Sequence, residues 1–152
     1  MLRKLGLFFV ALLALQSNVA AQHHGFGVGV IFGEPSGING KHWLSNRTAI
    51  VGAVAWSVGK EDALHLHGDY LFHDFDLLHA ERGKMALYYG LGGRIRFEDD
   101  SVIGARIPVG LNYLFAKAPV DLFLELVPML DLAPDTKFDM NGGVGVRFFF
   151  GK

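Results

Sequence analysis

The chain alternates between apolar and polar or small residues over long stretches. From Met85 to Phe97 the odd positions are Met85, Leu87, Tyr89, Leu91, Gly93, Ile95 and Phe97, and the even ones are Ala86, Tyr88, Gly90, Gly92, Arg94 and Arg96. From Ile103 to Phe115 the odd positions read Ile, Ala, Ile, Val, Leu, Tyr and Phe, whereas the even ones are Gly104, Arg106, Pro108, Gly110, Asn112 and Leu114. Successive side chains of a strand point to opposite faces, so such runs predict two-faced strands more firmly than residue propensity does. The same period carries through Leu64, Leu66, Tyr70 and Phe72 against His65, His67, Asp69 and His73. It continues through Val120 to Leu130 against Asp121 to Asp131, and through Met140 to Phe150 against Asp139 to Phe149. Three earlier stretches, about 26–33, 37–44 and 48–58, are strand-like but less cleanly two-faced. Turn chemistry separates them at Glu34-Pro35-Ser36-Gly37, Ser45-Asn46-Arg47 and Gly59-Lys60-Glu61-Asp62.

Eight strands joined by short turns form a meander, and a meander of eight closes into an antiparallel up-and-down barrel without edges. One face of each late strand is Leu, Ile, Val, Phe and Tyr almost without charge, and the other mixes Gly with Arg, Asp, Glu and His. A narrow interior that holds long charged side chains needs small neighbours. The charged face is therefore assigned to the lumen and the apolar face to lipid, which makes the fold class an all-β, eight-stranded transmembrane barrel. Pro108 and Pro128 conflict with this, because each removes a ladder donor. A bulge at each proline, with a local reversal of inside and outside, is the expected resolution.

Composition then sharpens the picture. Residues 1–21 have the three parts of a secretory signal peptide: Arg3 and Lys4, an apolar run from Leu5 to Leu15, and Val19-Ala20-Ala21 before the cleavage point. That run is about half the length of a membrane-spanning helix. The domain reading is a signal peptide at 1–21 and a barrel at 22–152. With 14 Lys and Arg against 15 Asp and Glu there is no basic surplus for nucleic acid, and the absence of Cys excludes disulfide scaffolds, zinc ribbons and thiol nucleophiles.

Candidate chemistry falls in three zones. Lys41, Asp69, Arg94, Arg96, Arg106, Glu125, Asp131 and Arg147, with Asp121 and Asp139, are placed in the lumen, where unpaired charges cost several kcal/mol and a bonded network is required. Glu34, Glu61, Asp62, Glu98, Asp99 and Asp100 form an acidic rim at the end opposite the termini. Phe26, Phe72, Phe115 and Phe150, with Tyr70, Tyr113 and Phe148, fall near the termini end, and Phe32, Trp56 and Phe97 near the other, as interfacial girdles do. His65, His67 and Asp69 alternate on one face and are weak metal candidates, ordinary polar packing being the stronger reading. Ser36, Ser45, Ser57 and Ser101 all lie at or near turns and no His-x-Ser is present, so no catalytic set is assigned.

Gly33-Glu34-Pro35-Ser36-Gly37-Ile38 with Lys41 and Trp43, Leu64 to Phe72, Tyr88 to Arg94, and Arg106 to Tyr113 together resemble the small eight-stranded outer-membrane barrels of the OmpA and OmpX type. More narrowly they resemble an uncharacterised family of compact bacterial barrels also found in spirochaetes. Gly145, Phe148 and Phe150 are similar to the C-terminal assembly signal of such barrels, although Gly151 and Lys152 follow. The resemblance implies a monomer in the bacterial outer membrane, surrounded by its lipid, inserted by barrel-assembly machinery and carrying no cofactor. A structural or envelope-interaction role is expected. The alternatives are a receptor or adhesin that takes an extracellular protein ligand on its rim, a narrow gated pore, and a soluble lipid-carrying barrel with its faces reversed.

Overall fold

The computed structural model describes residues 25–57 and 63–150. The leader, Lys60, Glu61, Asp62 and the last two residues lie outside the described residues. Among the described residues nine strands form the fold: β1 (Gly25–Glu34), β2 (Ser36–Trp43), β3 (Thr48–Ser57), β4 (Ala63–Asp74), β5 (Lys84–Phe97), β6 (Val102–Arg106), β7 (Val109–Leu114), β8 (Val120–Ala133) and β9 (Lys137–Phe150). Each strand is antiparallel to its sheet neighbours, and pairing of β4 with β5 and of β1 with β9 closes the sheet on itself.

The count is nine rather than eight because the strand expected over 103–115 is interrupted at Ile107 and Pro108. Both halves pair with β5 on one side and β8 on the other, so β6 and β7 fill one place in the ring. Gly90 N donates to Pro108 O and Ile107 N to Pro128 O, each at 3.0 Å. Both prolines thus accept across the ladder and supply nothing in return. The ladder therefore loses two bonds at one level without a bulge. Register holds through the break: Arg106 faces Gly92 and Val109 faces Tyr89 on the same β5. The expected reversal at the prolines does not occur, and Arg106, Pro108 and Asn112 are all buried. Among the described residues the one shift in register lies higher, between Ile103 and Gly104 against β8.

The registers also fix the barrel's size. A row running from Val28 through Gly40, Gly52, Gly68, Gly93, Ala105, Leu130 and Phe138 returns to the line of β1 about ten residues farther along. A shear of ten over eight places gives a strand tilt of about 41° and a backbone radius of about 8 Å. Such an interior is filled by side chains.

Alternation decides what fills it. Lys41 and Asp121 are 0% exposed and Arg94 and Arg106 are 2% exposed, whereas Leu91, Leu126 and Phe138 on the opposite face are 63–64% exposed. Interior glycines accommodate this packing. A Cβ at Gly92 would overlap Asp69 Oδ1, one at Gly104 would lie 2.6 Å from Asp131 Oδ1, and one at Gly27 would strike the Phe149 ring. Glycine is not confined to the inner face, however. Gly40, Gly52, Gly68 and Gly93 stand side by side on the outside, where Phe26, His42, Ile50 and Tyr70 flank a shallow groove of about 450 Å³.

The start of β1 and the end of β9, and the turns at 44–47, 75–83 and 115–119, lie at one end, the termini end; Pro35 and the turns at 98–101 and 134–136 lie at the other. The 75–83 turn is held by Asp74 Oδ1, which accepts from Asp76 N at 2.8 Å and Leu77 N at 3.2 Å. It ends at Gly83, whose φ of 74° favours glycine.

Candidate functional site

The interior is layered. At the termini end Trp43, Ala49, Leu114 and Phe149 form an apolar cluster, with Phe75 of the long turn packed against it. Sequence reading places Leu114 and Phe149 on the inner face but gives no sign that a turn residue joins them to close this end.

Above that cap lies a fully enclosed charge cluster. Lys41 Nζ donates to Asn112 Oδ1 at 2.9 Å, lies 2.8 Å from His73 Nε2 and 3.9 Å from Asp121 Oδ2, and sits 4.1 Å from the Trp43 ring centroid. Asp121 also receives Arg147 Nε at 2.9 Å and Nη2 at 3.1 Å. His73 Nδ1 lies 3.1 Å from the Arg47 carbonyl. A neutral ring that donates there presents Nε2 as an acceptor, which is what an ammonium at Lys41 requires. Arg147 stacks over Phe123 at 4.1 Å.

The middle layer joins Tyr88, whose hydroxyl donates to Glu125 Oε2 at 2.8 Å, to Arg106, which lies 3.8 Å from Glu125 and 2.7 Å from Asp69 Oδ1. The Arg106 approach to Asp69 is close but off the N–H direction, so it is an ion pair without an aligned hydrogen bond. Ile31, Val51, Leu71, Tyr88 and Phe123 pack around it. Toward the far end Arg94 forks onto Asp131 with contacts of 2.7–3.0 Å and reaches Asp139 at 3.2 Å. Arg96 stands apart, paired with Glu98. Beside His67, Arg106, Glu125 and Asn141 a cavity of about 10 Å³ opens toward Glu34 and Pro35, enough for about one water.

Of the lumen candidates, Lys41 and Arg147 meet through Asp121. Asp69, Arg106 and Glu125 form a second group, and Arg94 and Asp131 a third. Tyr88, Asn112 and His73 complete these groups and share the parity of Arg106 and Asp69, so the alternation carried the signal for them. Among the rim acids Glu34, Asp99 and Asp100 are exposed, Glu98 is half-buried against Arg96, and Glu61 and Asp62 lie outside the described residues. Phe26, Phe72 and Phe150 are exposed at the termini end, and Trp56 and Phe97 at the other. Phe115 is only partly exposed beside its turn. Phe32 faces Val144, halfway along β9 and below the rim.

Asp69 is held by Arg106 and His65 by Ser57, and among the described residues no group of three or more His, Asp or Glu is arranged to hold a metal ion. The weak set of His65, His67 and Asp69 is thus not drawn together. Ser57 Oγ lies 3.0 Å from His65 Nε2, a pairing that sequence spacing does not suggest. A nucleophile also needs its base oriented by a third group and a site for the developing oxyanion, so this hydrogen bond does not by itself define a catalytic centre.

On the outside of the termini end Arg47 Nη2 donates to Asp76 Oδ2 at 2.7 Å, which holds the Asp76 carboxyl below its ordinary value. With a lowered folded value, the pair's contribution is present above the unfolded pKa of about 4 and is lost as pH falls through the folded value. Both side chains are largely exposed, at 56% and 76%. Asp76→Asn is therefore expected to leave the urea midpoint at pH 7 unchanged, and a measurable shift would show that the turn is more constrained than its exposure indicates.

Fold and interior together define an antiparallel eight-place β-barrel with an apolar exterior and an ion-paired interior. The structure is similar to the crystal structure of the N-terminal β-barrel domain of Pseudomonas aeruginosa OprF. The TM-score is 0.63 at 16% identity, and the match covers 82% of this chain and 96% of that one. At that identity the likeness shows the fold. Neither a protein-family model nor a curated protein matches the sequence.

Proposed function

We propose that the chain is an integral outer-membrane barrel with a closed, charge-packed interior and a structural or envelope-interacting role. The observation that carries this reading is the polarity of the wall: large apolar side chains are exposed on every strand of the ring while the ion pairs are buried within it. Soluble monomers rarely expose contiguous apolar patches beyond a few hundred Å². A closed ring, by contrast, satisfies its backbone internally, as a bilayer demands. A soluble lipid carrier would require the opposite arrangement, with Leu and Phe around a cavity and the charges in water.

In this reading residues 1–21 direct export, assembly machinery inserts the barrel as a monomer, and lipid covers the outer face. Against a gated pore stand the apolar cap of Trp43, Leu114, Phe149 and Phe75 and the filled layers above it. Two measurements test the proposal. The unheated protein should migrate differently from the boiled protein on a detergent gel, and planar bilayers should show no steady conductance above background. Steady channels lost on replacing Glu125 or Arg106 would replace the closed reading with the pore, and unchanged mobility on boiling would remove the membrane reading.

A further inference from the structure

The ring is not closed to the same height all round. β1 turns back at Pro35, so its pairing with β9 stops at Glu34 opposite Gly142. On its other side β9 stays paired with β8 up to Asp131 opposite Lys137. Among the described residues, no strand pairs with β9 from Lys137 to Asn141 on the side where β1 has ended. The direction of its backbone groups follows from Pro128, which faces Met140. Pro128 O is directed to Ile107 N on the opposite side of β8. Pro128 and Met140 are therefore a non-hydrogen-bonded pair, and the N–H and C=O of Met140, like those of Phe138 two residues away, point out of the sheet edge. Met140 N donates to Asp139 Oδ1 of its own strand at 2.9 Å, while Asp139 Oδ2 is anchored by Arg94 at 3.2 Å. The edge is capped by a side chain rather than by a strand.

From these observations we infer that the upper edge of β9 accepts an extended, basic polypeptide segment of a partner as an additional strand. An open edge is a template for such pairing, with main-chain bonds supplying affinity and alternate side chains supplying selection. The side chains specify the guest. Phe138 and Met140 face outward and are 64% and 52% exposed, so the guest's outward residues are apolar. Both oxygens of Asp139 are engaged, by Met140 N and by Arg94, whereas Glu34 at the foot of the edge and the exposed Asp135 above it offer two free carboxylates against Lys137, so the guest is basic. A second copy fits poorly. Two barrels standing side by side in one membrane, each with strands tilted by about 41°, bring their β9 edges together at about 80°, far from the near-parallel alignment that a ladder needs.

The inference rests on the barrel standing in the outer membrane with this end outward, and the test keeps the two apart by verifying the heat-dependent gel shift for every variant. The probe is a fluorescent octapeptide alternating Val with Lys and Thr, titrated by anisotropy against the detergent-folded full chain. Asp139→Ala, which bares the Met140 N–H, is expected to tighten binding about threefold, and Met140→Pro, which deletes it, to weaken binding about tenfold. Methylating alternate peptide nitrogens on the bonding edge should abolish binding, and this arm needs no variant to fold. Replacing Lys by Glu in the peptide should weaken binding at least about fivefold. Equal binding by the methylated peptide, equal affinity for Met140→Pro in a gel-shifting barrel, or no binding to an intact barrel at millimolar peptide would overturn the inference. A dimer that Met140→Pro dissolves would assign the edge to a second copy instead.

Discussion

Replacing Asp121 by Ala is expected to remove about 3–5 kcal/mol of folding stability, because it leaves two buried cations without their shared counter-charge. Asp121 is 0% exposed and is contacted by Arg147 through two nitrogens and by Lys41 at 3.9 Å. The cap of Trp43, Leu114 and Phe149 lies below this layer and the Tyr88–Glu125 layer above it, so no open water path reaches the orphaned groups. Removing the whole triad should be far milder. Lys41→Met, Asp121→Leu and Arg147→Met together are expected to fall within about 2 kcal/mol of the parent. What remains is the loss of a donor for His73 and Asn112, since a buried ion triad and apolar residues of similar volume are often close in stability. Urea unfolding in micelles, followed by the fluorescence of Trp43 directly under Lys41, measures both. A single-variant loss below about 1 kcal/mol would mean that the layer is hydrated rather than dry.

The faces of the strands were legible in the sequence because alternation is a local property. Arg94, Asp121 and Arg147 could be placed on the inner side by parity alone. Which charge meets which was not legible, since that depends on the shear. Arg94 reaches Asp131 and Asp139 across β6 because of the stagger around the ring, and Ser57 meets His65 only through the β3–β4 register. The interruption at Ile107 and Pro108 also escaped sequence reasoning. A single proline in a closed sheet suggests a bulge, but Pro108 and Pro128 interrupt the ladder at one level and let the register run through unchanged. The glycine pattern misled in a different way. Composition suggested small residues clustered inside, where several do make room for Asp69, Asp131, Phe123 and Phe149. The row from Gly40 to Gly93 nevertheless lies outside, one per strand, and no window along the chain shows that these four residues stand together. The bare edge of β9 arises from a mismatch in length between β1 and β9, two strands far apart in sequence, so it too required the folded registers.

Two adjacent glycines offer the sharpest test of the assigned faces. Gly92→Ala is expected to destabilise by about 3 kcal/mol or more, combining overpacking with damage to a buried ion pair. Gly93→Ala is expected to be neutral or to stabilise by up to about 1 kcal/mol, because alanine lowers the entropy of the unfolded chain where the native backbone tolerates it. The difference follows from what each new methyl meets. At Gly92 it would overlap Asp69 Oδ1 and the Gly68 carbonyl oxygen, the second of which is backbone held in the β4–β5 ladder. Relief requires Asp69 to swing away from Arg106, which is 2% exposed and lies 2.7 Å from it. At Gly93 the nearest neighbour of the new methyl is Gly104 O at 3.6 Å, an ordinary contact, and the methyl points outward beside Gly68. Gly52→Ala, with His67 O at 3.9 Å, should follow Gly93. Urea midpoints of the three variants in one lipid system give the comparison. Equal losses at Gly92 and Gly93 would show that side-chain volume is resisted on both sides of β5, and the assignment of a packed inner face and an open outer one would have to be abandoned.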